Sequence, residues 1–146
     1  MARPFKQGLG YFPLDVMFFE DTKIRRLYMK HGYLGPTVYL RVLTLVYKRG
    51  YYLEISVNEL AEQIFWDLRC DSLSKVDRVK RVIRALAECG LIDEHLMNND
   101  VITSKAIQKQ WLTCVHRRKK IETNKYWLLS DDDETSIKNF IDDCLV

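Results

Sequence analysis

Arg78, Lys80, Arg81 and Arg84 crowd into one short stretch of the chain. On a helix turning about 100° per residue they spread over the side opposite an apolar stripe of Val76, Val79, Ile83 and Leu86. Arginine at such positions does a particular kind of chemistry: its planar fork grips a phosphate or a guanine edge with two hydrogen bonds. Asp77 and Glu88 share the outward side and dilute it, and a plain solvated helix face is the competing reading. A denser run, Arg117-Arg118-Lys119-Lys120, follows His116 at the end of an apolar-periodic segment. It reads either as a phosphate contact or as cations complementing a helix C-terminus.

Other chemistries find no footing. The chain has no phosphate-cradling glycine loop, no nucleophile motif and no paired carboxylates on a recognisable scaffold, so no enzyme activity, catalytic residue or cofactor is expected. Cys70, Cys89, Cys114 and Cys144 are too far apart for zinc or redox spacing, and read as reduced, small hydrophobes. No metal site is expected. Asp131-Asp132-Asp133-Glu134 is a run of consecutive acids, a poor pre-formed cation cage. It is read as solvated, or as folding back on the basic run.

A chain of 146 residues, 47% hydrophobic and 29% charged, is one ordinary domain. At that size roughly two-thirds of the unfolded surface can be buried. No apolar run nears the roughly 18 residues of a membrane helix. Met1-Ala-Arg-Pro-Phe-Lys6 leads into no apolar signal core, so a cytoplasmic, membrane-free protein is expected. The net charge of +3 hides an asymmetry: residues 1–129 carry 22 Lys/Arg and 14 Asp/Glu, whereas residues 130–146 carry one Lys and six acids. A basic body suits a polyanionic partner.

The elements that would position these charges can be read in order. Residues 1–20 gather Phe5, Leu9, Tyr11, Phe12, Leu14, Val16, Phe18 and Phe19 around Pro13, which forbids an ordinary helix there. They predict an apolar arm lying over the core or over a neighbouring subunit. Asp21 caps a helix to His31 with Ile24, Leu27 and Tyr28 at helical spacing, stopped by Gly32. Gly35-Pro36 opens a central buried helix ending at Gly50. Residues 51–55 read as a strand, and Ser56 with Glu59 as a capping box. Ser74 with Asp77 starts the arginine-bearing helix, which ends at Cys89 before Gly90. Leu91-Ile92 and Val101-Ile102-Thr103 flank an Asn98-Asn99-Asp100 tip and predict a small β-hairpin. Ser104 caps a helix with Ile107, Trp111, Leu112 and Val115. Beyond it lies a loose extension with a weak terminal helix around residues 137–145.

Helix, strand, helix, helix, hairpin is the order of a winged helix-turn-helix. The expected fold is therefore mainly α with a small β-hairpin, its core at residues 36–103. The winged-helix domain with its arm spans 1–120, followed by an acidic, partly helical extension over 121–146. Residues 51–55 would join the hairpin in a three-stranded sheet. In such a fold the 74–89 helix would enter the major groove. The tip at 98–100 lacks the Lys or Arg of a DNA-gripping wing.

A family resemblance enters at Gly8-Leu-Gly-Tyr-Phe-Pro-Leu-Asp-Val16 and Phe18-Phe-Glu-Asp21, then Gly35-x-x-Val38-Tyr39-Leu40-Arg41-x-Leu43 and Gly50-Tyr-Tyr-Leu53. Leu91-Ile-Asp93 and Ile102-Thr-Ser104-x-x-Ile107-Gln108 complete it. Over residues 3–120 the sequence resembles the uncharacterised N-terminal domain of phage-type replisome organisers, related to DnaD-like replication initiation proteins. The resemblance implies a winged helix that binds origin DNA or assembles into oligomers, working with a helicase-loading partner. Members often continue into a further C-terminal domain. Two expectations follow. One is a replication-associated module meeting duplex DNA through Arg78, Lys80, Arg81, Arg84 and Arg117, Arg118, Lys119, Lys120. The other is a protein-interaction module, a homo-oligomer through residues 1–20, without direct DNA contact. A small transcriptional regulator would use the same surface as the first.

Overall fold

A computed structural model of the chain describes residues 7–69 and 75–144. Phe5 of the arm, Cys70, the Ser74 cap and Leu145 lie outside the described residues. A 3-10 turn at Phe18–Glu20 leads into α1 (Thr22–His31), α2 (Leu34–Arg49), β1 (Leu53–Glu54), α3 (Val57–Asp67) and α4 (Val76–Glu88). Then come α5 (Glu94–Asn98), β2 (Val101–Ile102), α6 (Lys105–Val115) and α7 (Asp131–Cys144). The protein is mainly helical, with a two-stranded antiparallel sheet among the described residues.

Local chemistry explains the boundaries. The Asp21 carboxylate accepts from the backbone N–H groups of Lys23 and Ile24, which the first turn of α1 leaves unpaired. The Ser56 hydroxyl does the same for Glu59, and that of Ser104 for Ile107. Gly32, at φ 66°, turns the chain out of α1. A side chain at Gly35 would collide with the Leu27 carbonyl, 2.8 Å from where its Cβ would lie, so this glycine lets α1 and α2 cross closely. Within α2, Val38, Val42 and Val46 are fully buried and Tyr39, Leu43 and Tyr47 nearly so, which makes it the central helix of the core. Burial pushes the Tyr39 hydroxyl up to about 12. Tyr28, expected on the inner face of α1, is exposed instead.

The expected hairpin is corrected. Leu91 and Ile92 are buried but form no strand, and α5 stands between them and β2 where the hairpin was expected. Asp93 is the cause: its carboxylate accepts from Leu96 N–H and starts a helical turn. Asn99 ends that turn and Asp100, at φ 61°, sends the chain into β2. Asn and Asp tolerate this left-handed backbone, so the same residues serve a helix exit as well as a hairpin tip. The sheet pairs distant segments, Leu53 with Ile102 and Glu54 with Val101, and has two strands rather than three. The strand expected at 51–55 shrinks to Leu53–Glu54, because Tyr51 is drawn into the core with Thr103 donating to its carbonyl.

The expected loose extension is also corrected. Residues 121–129 are laid along the body: Tyr51 donates to the Lys125 carbonyl, Gln108 donates to the Tyr126 carbonyl, and Leu128 N–H donates to Gln108. Trp127 stands edge-on to Tyr51 and Trp111, and Leu129 is buried. The terminal helix begins at Asp131 rather than near 137. Ser130 and Asp133 exchange side-chain and backbone hydrogen bonds in a capping box, each at 3.1 Å. The acidic run is thus the first turn of α7, where carboxylates complement the helix dipole.

Candidate nucleic-acid interface

The arginine-bearing helix α4 buries Val79, Val82, Ile83 and Leu86 and exposes Arg78, Arg81 and Arg84. Lys80 is half-buried and sits 3.8 Å from the Asp77 carboxylate, so part of its charge is answered locally. Arg78 reaches across to α1 and donates to the His31 carbonyl at 3.2 Å. At the other end, the Lys23 ammonium lies beside Gly90, just past α4. The two helices therefore run antiparallel, the C-terminus of α1 against the N-terminus of α4.

That pairing brings in residues the sequence reading passed over. Lys23, Arg25, Arg26 and Lys30 are all exposed on α1, which contains no acidic residue. Lys23, Arg26, Lys30 and His31 line one wall of a shallow groove of about 210 Å³, and Ala85, Glu88 and Cys89 the other. His31 sits in this positive field. Its pKa is lowered, chiefly by partial burial and then by the charges of Lys30, Arg78 and Arg81, with Glu88 opposing. A run of four cations within ten residues was visible in the sequence; its proximity to α4 was not.

The second predicted cluster has a different fate. Arg118 is half-buried and donates to the Gly8 carbonyl at 3.0 Å, while Trp111 Nε1 donates to the Gln7 carbonyl at 2.8 Å. Gln7 in turn exchanges two hydrogen bonds with Glu122, and Leu9 N–H donates to Tyr47 at 2.7 Å. A side chain at Gly8 would run into the Lys48 carbonyl, so the arm passes through a slot that only glycine fits. Arg118, just past α6, thus helps pin the arm at Gly8. Arg117, Lys119 and Lys120 are exposed nearby. The groove lining contains none of the four.

The arm packs Leu9, Phe12 and Phe18 inward, Phe12 against Tyr47 and Phe18 stacked on Tyr39. Its other face stays open: Tyr11 is 88% and Val16 94% exposed, and Leu14, Met17 and Phe19 are exposed too. Among the described residues no group of three or more His, Cys, Asp or Glu could hold a metal ion. None of their helices is long and apolar enough to cross a membrane.

With this geometry in place, comparison with known proteins identifies the lineage. The model of the Lin1244/Lin1753-like N-terminal family matches residues 11–107. The chain belongs to that family. One relative is the "Uncharacterized phage-related protein Lin1244/Lin1753" of Listeria innocua serovar 6a, 30% identical over 135 residues and covering 92% of this chain. The chain spans 43% of that relative's length. No solved structure matches. The Lin1244/Lin1753-like match runs from the arm to the first turn of α6, so it includes both walls of the α1–α4 groove. It stops short of the 117–120 run and of α7.

Proposed function

We propose that this Lin1244/Lin1753-like chain is a duplex-DNA-binding module that meets the phosphate backbone through the joined faces of α1 and α4. The observation that carries this reading is the antiparallel contact at His31, which sets Lys30 near Arg78 and Arg81, while Lys23 and Arg26 extend the positive face along α1 toward the other end of α4. A polyanion of regular charge spacing is the partner such a field attracts. In this reading α2, α3 and α4 with the β1–β2 pair act as a winged-helix-type body. Helix α4 is the groove-facing helix, and α5 stands where a wing would be. A role in phage replisome assembly, with a helicase-loading partner, fits the sequence resemblance and the phage-related relative. Titration on duplex DNA at several salt concentrations tests the proposal. Neutralising three to five phosphates gives a log–log slope of roughly −3 to −5, and absence of binding at low salt rejects the reading.

A second reading, self-association through residues 1–20, is favoured by one observation: a hydrogen-bonded arm that holds Tyr11 and Val16 in solvent. Ordered apolar side chains left exposed in this number mark protein contact surfaces. Conversion of an oligomer to monomer by Tyr11→Ala with Val16→Ser supports it, and an unchanged mass rejects it.

A further inference from the structure

Between the Phe18–Glu20 turn, α1 and the start of α2 lies an open cup of about 450 Å³. Phe19, Ile24, Tyr28, Tyr33, Pro36 and Leu40 line it, together with Arg25 and Thr37. Its polar capacity is small, since the Thr37 hydroxyl is already spent on the Tyr33 carbonyl. Phe19 is 66% and Tyr33 80% exposed, and the Tyr28 and Tyr33 rings stand edge to face at 5.1 Å. The cup is apolar inside, and α1, which forms one wall, carries four exposed cations and no acid.

The same chain carries side chains of complementary chemistry. Helix α7 carries six acids and one lysine. Its Ile141 is buried and Ile137 packs against the core, so these residues face the body. Asp132, Ser136, Phe140 and Asp143, spaced four, four and three residues apart, form a separate exposed stripe. Phe140 is 62% exposed on that stripe, with an acid on either side along the helix. Helix α7 lies along α6, which leaves this phenyl ring uncovered by its own chain.

We propose that the cup of one copy receives Phe140 from α7 of a second copy, with Asp143 and Asp132 of that helix facing Arg25. This contact is independent of the duplex-DNA reading and uses a different surface from Tyr11 and Val16. Each aromatic anchor buries roughly 150–250 Å². One such seat, or a reciprocal pair, stays near or below the roughly 1,200 Å² lower end of stable interfaces. The association is therefore weak, reversible and sensitive to salt.

Sedimentation velocity on the whole chain, from micromolar to sub-millimolar concentration at low and moderate salt, tests it. Self-association is expected, weakened about tenfold or more by Phe140→Ala and separately by Arg25→Glu. Pairing Arg25→Glu with Asp143→Arg should restore it, which a merely misfolded variant would not do. Circular dichroism checks that each variant keeps its helices. A monomer at every concentration overturns the proposal. So does association that ignores Phe140 and Arg25 but responds to Tyr11→Ala, and so does a charge-swapped pair that stays as weak as its parents. Duplex binding by Phe140→Ala should equal that of the parent chain, so failure of either proposal leaves the other standing.

Discussion

The two basic regions of the molecule have opposite histories. The run at 117–120 is the denser in sequence, yet one of its members is committed to holding the arm: Arg118 donates to Gly8, beside the Trp111–Gln7 bond. The cations of α1 and α4 are scattered over 62 residues, Lys23 to Arg84, yet folding lines them along one antiparallel helix pair. Charge density along a chain is thus a poor guide to charge availability. Arg118, Arg78 and Arg81 each spend a guanidinium donor on a backbone carbonyl. What separates the two regions is that Arg118 holds the arm whereas Arg78 joins two cation-bearing helices.

The largest effect should come from the arm side of this comparison. Trp111 is fully buried, touches Tyr51 and Trp127, and donates to the arm. Trp111→Ala should cost about 3–5 kcal/mol of stability in denaturant unfolding. A loss under 1 kcal/mol would show that the arm and the 121–129 segment are not anchored through it. On the α1–α4 side, Arg78→Ala with Arg81→Ala should flatten the salt slope of duplex binding by about 2 and weaken affinity by roughly tenfold or more. Lys23→Ala with Arg26→Ala should act similarly if α1 is part of the face. An unchanged slope would confine binding to α4.

Arg118→Ala should lower stability by about 1–2 kcal/mol and make the arm easier to cleave, read by limited proteolysis, while leaving duplex affinity within about twofold. A larger fall in affinity would return the 117–120 run to the interface. The smallest effect is one of pH. The folded protein holds the His31 pKa below its ordinary value of 6.5, so in that window the unfolded chain binds more protons. Stability from this source is complete above the unfolded pKa, declines as pH falls through 6.5, and levels off below the lowered folded value. Comparing unfolding of the parent chain and His31→Gln between pH 7.5 and 5 isolates it; parallel curves would contradict the assignment.

How much of this was legible beforehand depends on the range of each interaction. Asp21, Ser56, Ser104, Gly32 and Gly50 act within four residues of themselves, and the helix limits they imply are the ones found. Helix α5 escaped notice because five residues are too few to show a period, and Asn98-Asn99-Asp100 suit a turn equally well. Helix α7 was placed too late because its opening acids were read as solvated charge rather than as partners of Ser130. The proposed interface is half legible. Outward arginines on α4 follow from periodicity, but the union with α1 depends on a contact 47 residues away. The demotion of Arg118 depends on one 110 residues away. Neither leaves a local trace.

The central claim is that α1 and α4 together form the polyanion-binding face. Its most direct test is fluorescence anisotropy on a labelled duplex over a series of salt concentrations. The parent chain is compared with Arg78→Ala/Arg81→Ala and with Arg117→Ala/Lys119→Ala. The parent slope of roughly −3 to −5 is expected to flatten by about 2 in the first variant and by less than 1 in the second. The reverse order, or no binding by the parent chain at low salt, would contradict it.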